Sequence, residues 1–224
     1  MKKAVIIVAA GTGSRMGGEL PKQYLQLQGR PLIVHTLERF QRFDPEMKLV
    51  VVLAPTHKEL WEQMTASYEI AGRVTLALGG PTRYDSVKSG LNQIDKETLT
   101  GIHDAVRPLV SQGTLIRCYD AALRKGSGIP VVEMDESVRM LDAEGGSVHM
   151  DRNSLKRVQT PQVFRSNRIK KAYQQPYNQA FTDDASVYET AYGPPSLVEG
   201  NRENIKLTTP IDIKLAQLLI DSLE

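Results

Sequence analysis

Ala4-Val5-Ile6-Ile7-Val8-Ala9-Ala10-Gly11-Thr12-Gly13-Ser14-Arg15-Met16 runs an unbroken apolar segment straight into a glycine-rich turn. The apolar part does not alternate, so it suits a strand buried on both faces of a parallel sheet, here read as Ala4–Ala9. It is also far shorter than the roughly 20 residues of a membrane span. A glycine-rich turn at the carboxyl end of such a strand lets backbone N–H groups approach phosphate oxygens, at the edge where open α/β sheets bind ligands.

The rest of the chain repeats the alternation. Leu49–Leu53, Val74–Ala77 and Ile129–Val132 read as further buried strands, and Thr100–Ile102 as a shorter one. Between them, Pro31–Phe43 places Ile33, Leu37 and Phe40 on one helical face. Ser111 is the cap of a helix reaching Arg124–Lys125, with Gly126 to end it. A last helix starts with Thr209 as cap and Pro210 at its first position, and its expected buried stripe is Ile211, Leu215, Leu218 and Leu219. This order predicts a three-layer α/β fold with a mostly parallel sheet, right-handed crossovers and one domain over residues 1–224.

One stretch departs from the rhythm. Within residues 134–160, Ser137–Leu141 and Ser147–Met150 read as extended segments around Ala143-Glu144-Gly145-Gly146, a hairpin signal. A lone hairpin buries too little to be stable by itself, so this one is expected to project as an arm and pack on a second subunit.

The chain has 224 residues, 41% hydrophobic and 24% charged, with 28 Lys plus Arg against 26 Asp plus Glu. These are values of a globular protein with a proper core, and the near-balanced charge predicts no nucleic-acid face. No membrane partner is expected either. Met1-Lys2-Lys3 leads into an apolar run with no small-residue cleavage site after it, so the run reads as a strand and not a signal peptide. The single cysteine, Cys118, falls in a helical pattern and reads as core, and a reducing, cytoplasmic setting is expected. His35, His57, His103 and His149 show no metal-ligand spacing.

Arg15 and Lys22 add two cations to the glycine loop, suited to charge building on a phosphorus centre and a leaving pyrophosphate. The loop is not a Walker motif, because Glu19 follows Gly18. It is not a dinucleotide fingerprint, because its third glycine falls one position late, at Gly17, and Ala54-Pro55-Thr56 follows the second strand where an acidic residue is needed. Gly79-Gly80 after the third strand permits a base to lie against backbone, and Ser86 either caps the next helix or touches the ligand. Asp104 in His103-Asp104-Ala105-Val106-Arg107-Pro108 either holds Mg²⁺ with phosphate oxygens and water or forms a turn before proline. Asp183 and Asp184 read as a helix cap and first-turn acid with no chemistry, and residues 199–208 as a strand that carries Lys206.

Ala9-Ala10-Gly11-Thr12-Gly13-Ser14-Arg15-Met16 with Pro21-Lys22-Gln23-Tyr24 resembles the signature of sugar- and polyol-phosphate nucleotidyltransferases. His103-Asp104-Ala105, Arg107-Pro108, Asp151-Arg152-Asn153, Thr160-Pro161-Gln162, Thr182-Asp183, Ala185-Ser186, Ile205-Lys206 and Thr208 narrow it. The set, in this order, is similar to the 2-C-methyl-D-erythritol 4-phosphate cytidylyltransferase family of the non-mevalonate isoprenoid pathway. The resemblance implies a Rossmann-like nucleotidyltransferase fold, and transfer of CMP from CTP to methylerythritol phosphate with Mg²⁺ and release of pyrophosphate. It implies that Arg15 and Lys22 stabilise the transition state, that Arg152 and Lys206 hold the substrate phosphate, and that Ala9, Ala10, Gly11, Gly80, Ser86 and Ala105 contact the nucleotide. Asp104, Arg107, Ser137 and Thr160 would surround the alcohol phosphate. A homodimer would interlock its hairpin arms, so that Arg152 and Ser137 serve the neighbouring site.

The family often carries an acidic residue and then Glu after the paired glycines; here Pro81-Thr82 stands there, and proline offers no N–H to a base. A ribitol-5-phosphate cytidylyltransferase shares loop and chemistry, but Ala9-Ala10-Gly11 and Asp151-Arg152-Asn153 favour the methylerythritol enzyme. A non-catalytic nucleotide-binding module is a third reading, opposed by Arg15, Lys22, Arg152 and Lys206 all being present. A purely structural dimerisation protein would have no use for the glycine loop.

Overall fold

The computed structural model describes residues 1–11 and 20–220. Its strands are β1 (Lys2–Ala9), β2 (Gln26–Leu27), β3 (Arg30–Pro31), β4 (Lys48–Leu53), β5 (Val74–Leu78), β6 (Thr98–Asp104), β7 (Ser127–Glu133), β8 (Val138–Leu141), β9 (Ser147–Met150), β10 (Lys156–Val158), β11 (Gln162–Arg165) and β12 (Leu197–Glu199). Its helices are α1 (Leu32–Phe43), α2 (Lys58–Thr65), α3 (Arg83–Asn92), α4 (Gln112–Lys125), α5 (Ser166–Ala172), α6 (Asp184–Tyr192) and α7 (Pro210–Leu219).

The period-2 geometry of β1 divides the core in two. Val5, Ile7 and Ala9 pack with α1, α2 and α4 on one face of the sheet. Ala4 and Ile6 pack with α3, α5 and α6 on the other. The three layers follow from that division. The sheet runs β10-β7-β11-β6-β1-β4-β5, with β12 beside β7. β6, β1, β4 and β5 are parallel neighbours, while β11 inserts antiparallel between β6 and β7. Ser111 caps α4 through its hydroxyl, and left-handed Gly126 ends it. Cys118 is fully buried in the first of these cores.

The hairpin of β8 and β9 pairs Val138 with Met150 and Leu141 with Ser147, closing over Asp142–Gly146. It forms a sheet of its own, and Met140, Leu141 and Val148 are exposed on it.

Two expectations about the C-terminal region require correction. Thr209 does cap α7, in a reciprocal capping box with Asp212, but the helix buries Ala216 and partly buries Ile213 and Leu219, while Ile211, Leu215 and Leu218 are exposed. Its small inner face sits on Leu27, Leu32, Leu109 and Leu207, and tertiary packing selects that face over the more apolar one. Residues 199–208 are not one strand: β12 stops at Glu199, and the following segment is held by side chains, as when the Asn201 amide donates to the Leu109 carbonyl. No helix among the described residues is long and apolar enough to cross a membrane.

Candidate active site

Three parallel strands end at one cleft of about 410 Å³. β1 supplies Ala9, with Ala10 and Gly11 just beyond it; β6 supplies Asp104, followed by Ala105; the turn after β5 supplies Gly80 and Pro81. Ser86, Lys22 and Lys206 complete the set of expected residues that line it. The parallel run β6-β1-β4-β5 thus gathers strand ends that lie about a hundred positions apart, and the non-strand segment beyond β12 adds Lys206. Arg15 lies outside the described residues.

Close packing forms the wall of the cleft at Gly79–Ser86. The Gly79 N–H donates to the Leu53 carbonyl at 2.7 Å, and a Cβ at position 79 would stand 2.6 Å from the Ala10 Cβ. Only glycine lets the β5 turn come this near the end of β1. Ser86 does not cap α3; Thr82 does, in a capping box with Asp85. The Ser86 hydroxyl instead accepts the Gly80 N–H at 3.2 Å and donates to the Thr82 carbonyl at 2.9 Å, which braces the turn.

The opposite wall is built around Asp104. Its Oδ2 accepts from Arg107 Nε at 3.0 Å and meets Lys206 Nζ at 3.2 Å. Burial alone would raise this carboxyl, but Lys206, Arg107 and Arg83 outweigh it and hold the group well below the usual carboxylate range. Behind it runs a chain of hydrogen bonds. The Asp104 N–H donates to Thr160 Oγ1, which lies 3.0 Å from His103 Nδ1, and His103 Nε2 faces the Arg107 carbonyl at 3.0 Å. A carbonyl only accepts, so Nε2 carries the imidazole proton and Nδ1 accepts from Thr160. Burial pushes His103 down to about 4, which keeps it neutral. Thr160 is therefore committed behind Asp104, and Arg107 spans Asp104 and the Asn204 carbonyl.

Lys22 is buried. Pro21 starts the short 3-10 turn Lys22–Tyr24, Gln23 Nε2 ties that turn to the Ala9 carbonyl at 2.8 Å, and Lys22 Nζ lies 3.3 Å from the Thr208 carbonyl. Arg152 and Ser137, at the base of the hairpin arm, do not line the cleft. Both are exposed, and Arg152 Nη1 donates to the Asp135 carbonyl at 2.8 Å.

Sequence reasoning missed a cleft residue and its anchor. Arg83 lines the cleft and forks onto Asp184, its two bonds measuring 2.9 and 2.6 Å. Asp183 does cap α6, but Asp184 is wholly buried in this ion pair. No local signal links two residues a hundred positions apart; the nearest hint is the arginine that follows the Gly79–Thr82 turn.

Among the described residues no cluster of three His, Cys, Asp or Glu side chains has the makings of a metal site. Asp104 is an ionised carboxylate at the cleft wall, which fits a hard cation carried mainly by phosphate oxygens and water. Chemically, the arrangement offers cations and backbone donors for phosphates, and among the described residues no Ser-His or Cys-His pair lines the cleft.

Residues 3–222 match the family model described as 2-C-methyl-D-erythritol 4-phosphate cytidylyltransferase. A protein of that name from Phocaeicola vulgatus is 49% identical over 220 residues, covering 98% of this chain and all of the relative. Its namesake from Bacteroides fragilis is 46% identical with the same coverage. Among solved structures, the 2-C-methyl-D-erythritol 4-phosphate cytidylyltransferase of Francisella tularensis superposes with a TM-score of 0.80 at 31% identity, over 97% of this chain and 99% of that one. The 4-diphosphocytidyl-2C-methyl-D-erythritol synthase of Anaerococcus prevotii superposes at 0.82, with 26% identity over 98% and 96% of the two chains.

Proposed function

The chain belongs to the 2-C-methyl-D-erythritol 4-phosphate cytidylyltransferase family, and from that premise we propose how its cleft transfers CMP from CTP to methylerythritol phosphate, releasing pyrophosphate. The observation that carries the reading is the convergence of Ala9, Gly80 and Ser86 with Lys22, Lys206 and Asp104 at the carboxyl edge of one parallel sheet. The backbone at Ala9, Ala10, Gly11, Gly80 and Ala105 takes the nucleotide. Lys22, with Arg15, neutralises the charge that develops as the α-phosphorus becomes five-coordinate and pyrophosphate departs. The attacking phosphate is an anion at neutral pH, so no protein nucleophile or base is needed, only alignment. Lys206 supplies part of that alignment, held at Asp104 together with Arg107. Thr160 acts from behind by fixing the Asp104 backbone. Mg²⁺ would be held by Asp104 and the phosphates, and would spread the negative charge of the departing pyrophosphate.

The remaining cation is Arg152. Its position on the arm, with Met140, Leu141 and Val148 exposed beside it, supports a homodimer in which the arm brings Arg152 and Ser137 to the other copy's cleft. A cytoplasmic setting accords with a buried lone thiol, and near-neutral charge supports small-molecule partners over nucleic acid.

The test is pyrophosphate release with CTP and Mg²⁺, comparing methylerythritol 4-phosphate with ribitol 5-phosphate. Selective turnover of the first is expected. Selective turnover of the second would overturn the assigned substrate, and CTP binding without turnover of either would make the protein a nucleotide-binding module.

A further inference from the structure

Arg83 is the first residue of α3, directly after the turn that forms the nucleotide side of the cleft. Its guanidinium grips Asp184, a side chain with no exposure at all, through two parallel bonds. Asp184 Oδ1 also accepts the Tyr173 hydroxyl at 2.6 Å, and the Tyr173 ring stacks on Tyr84 at 4.6 Å. The first turn of α6 is itself fixed to the sheet: Gln162 of β11 donates to Asp183 and accepts the Ala185 N–H, each at 2.7 Å. A rigid path therefore runs from β11 through α6 to the start of α3, and it ends on a residue that lines the cleft.

Such a pair is an expensive way to join two helices, because an ion pair gains little over well-packed apolar side chains once both charges are desolvated. What it adds is direction. A carboxylate fork fixes the plane of a guanidinium, and two of its five N–H donors are then used, which leaves three. We propose that Asp184 and Tyr173 are positioning residues for Arg83, and that Arg83 in turn sets the Gly80–Ser86 turn and the nucleotide side of the cleft. Asp184 never meets the substrate in this scheme; it acts through Arg83. The inference rests on the cytidylyl-transfer reading for its substrates but not for its geometry.

Asp184→Asn keeps the shape and can still accept from Tyr173 while removing the charge. Its KM for CTP should rise about tenfold, with kcat and the KM for methylerythritol phosphate within about threefold of the parent enzyme. Arg83→Gln should match it, and the double variant should be no worse than either alone, as expected for residues acting as a unit. If kcat and both KM values move together, or none moves, the proposal is overturned. Tyr173→Phe removes a single hydroxyl and leaves the stacked ring, so it decides the matter if Asp184→Asn does not fold: a raised CTP KM alone supports positioning, and any other pattern refutes it. Calorimetric titration of CTP into the same proteins separates the two readings. Should the parent enzyme turn over neither polyol phosphate, a weaker CTP affinity in Tyr173→Phe would still establish the pair, and an unchanged affinity would sink it.

Discussion

Lys22 occupies an environment that its sequence context does not reveal. A lysine after Pro21 in a polar loop suggests a solvated cation, but the ordered turn Lys22–Tyr24 buries it beside the Thr208 carbonyl at the cleft. Burial would strengthen the interaction with phosphate proposed for it, because less water screens the charge. Lys22→Ala should lower kcat by about 10²–10³, the scale found for removing a transition-state donor. Near-normal turnover in a folded variant would remove Lys22 from the mechanism. His103 makes a prediction of opposite kind, about pH. Its imidazole titrates near 6.5 when unfolded and is pushed down to about 4 by burial, so the unfolded chain binds the extra proton first. Its contribution is complete above pH 6.5 and is lost as pH falls toward 4, for at most about 3 kcal/mol. Asp104 adds a loss in more acid solution, since its folded carboxyl is held low. Urea midpoints at pH 7, 5.5 and 4.5 should fall in that order; a flat series would mean that His103 is protonated in the folded protein.

At the scale of elements, α3 is the piece on which structure and propensity disagree. Gly90 lies inside the helix, where alanine would ordinarily be favoured by about 1 kcal/mol. Here a Cβ would stand 2.7 Å from Ile6 Cγ2 and 2.9 Å from Val52 Cγ2, both in buried β-branched side chains with little room to turn. Gly90→Ala should therefore destabilise the protein by about 1–3 kcal/mol, and it should raise the CTP KM because α3 carries Arg83 and Ser86. A higher melting temperature would show that Ile6 and Val52 can make room for the added methyl group. The same contrast explains what the sequence made legible. β1, β4 and α4 announce themselves by apolar runs and caps that are local, and so does the hairpin turn at Gly145-Gly146. The most apolar stripe of α7 is not its buried one, because its seat on Leu27, Leu109 and Leu207 is nonlocal. Within the cleft, Ala9, Gly80 and Lys206 could be named from motifs, whereas the Arg83–Asp184 fork and the Thr160–His103 chain exist only after the sheet has brought distant segments together.

At the scale of the whole molecule, the cleft described in one chain holds Lys22 and Lys206 while Arg152 stands outside it on the arm. If the arm reaches across a homodimer, each site draws Lys22 from one copy and Arg152 from the other. Lys22→Ala and Arg152→Ala would then each be inactive as homodimers for different reasons. In a mixed dimer the Arg152→Ala copy keeps its own Lys22, and its neighbour still supplies an intact Arg152, so one site is whole and the other lacks both cations. Mixed dimers, purified through two different tags, should regain turnover with the KM values of the parent enzyme and up to half its kcat per dimer. Removing the exposed apolar contacts tests the arm itself: Leu141→Asp places a charge where Met140, Leu141 and Val148 are open, and it should shift sedimentation toward the monomer and lower activity with it. Activity recovered in the mixed dimers but lost on dilution would locate the site at the interface. An inactive mixed dimer would assign Arg152 to its own chain's cleft, and the arm would then have to bend back to reach it.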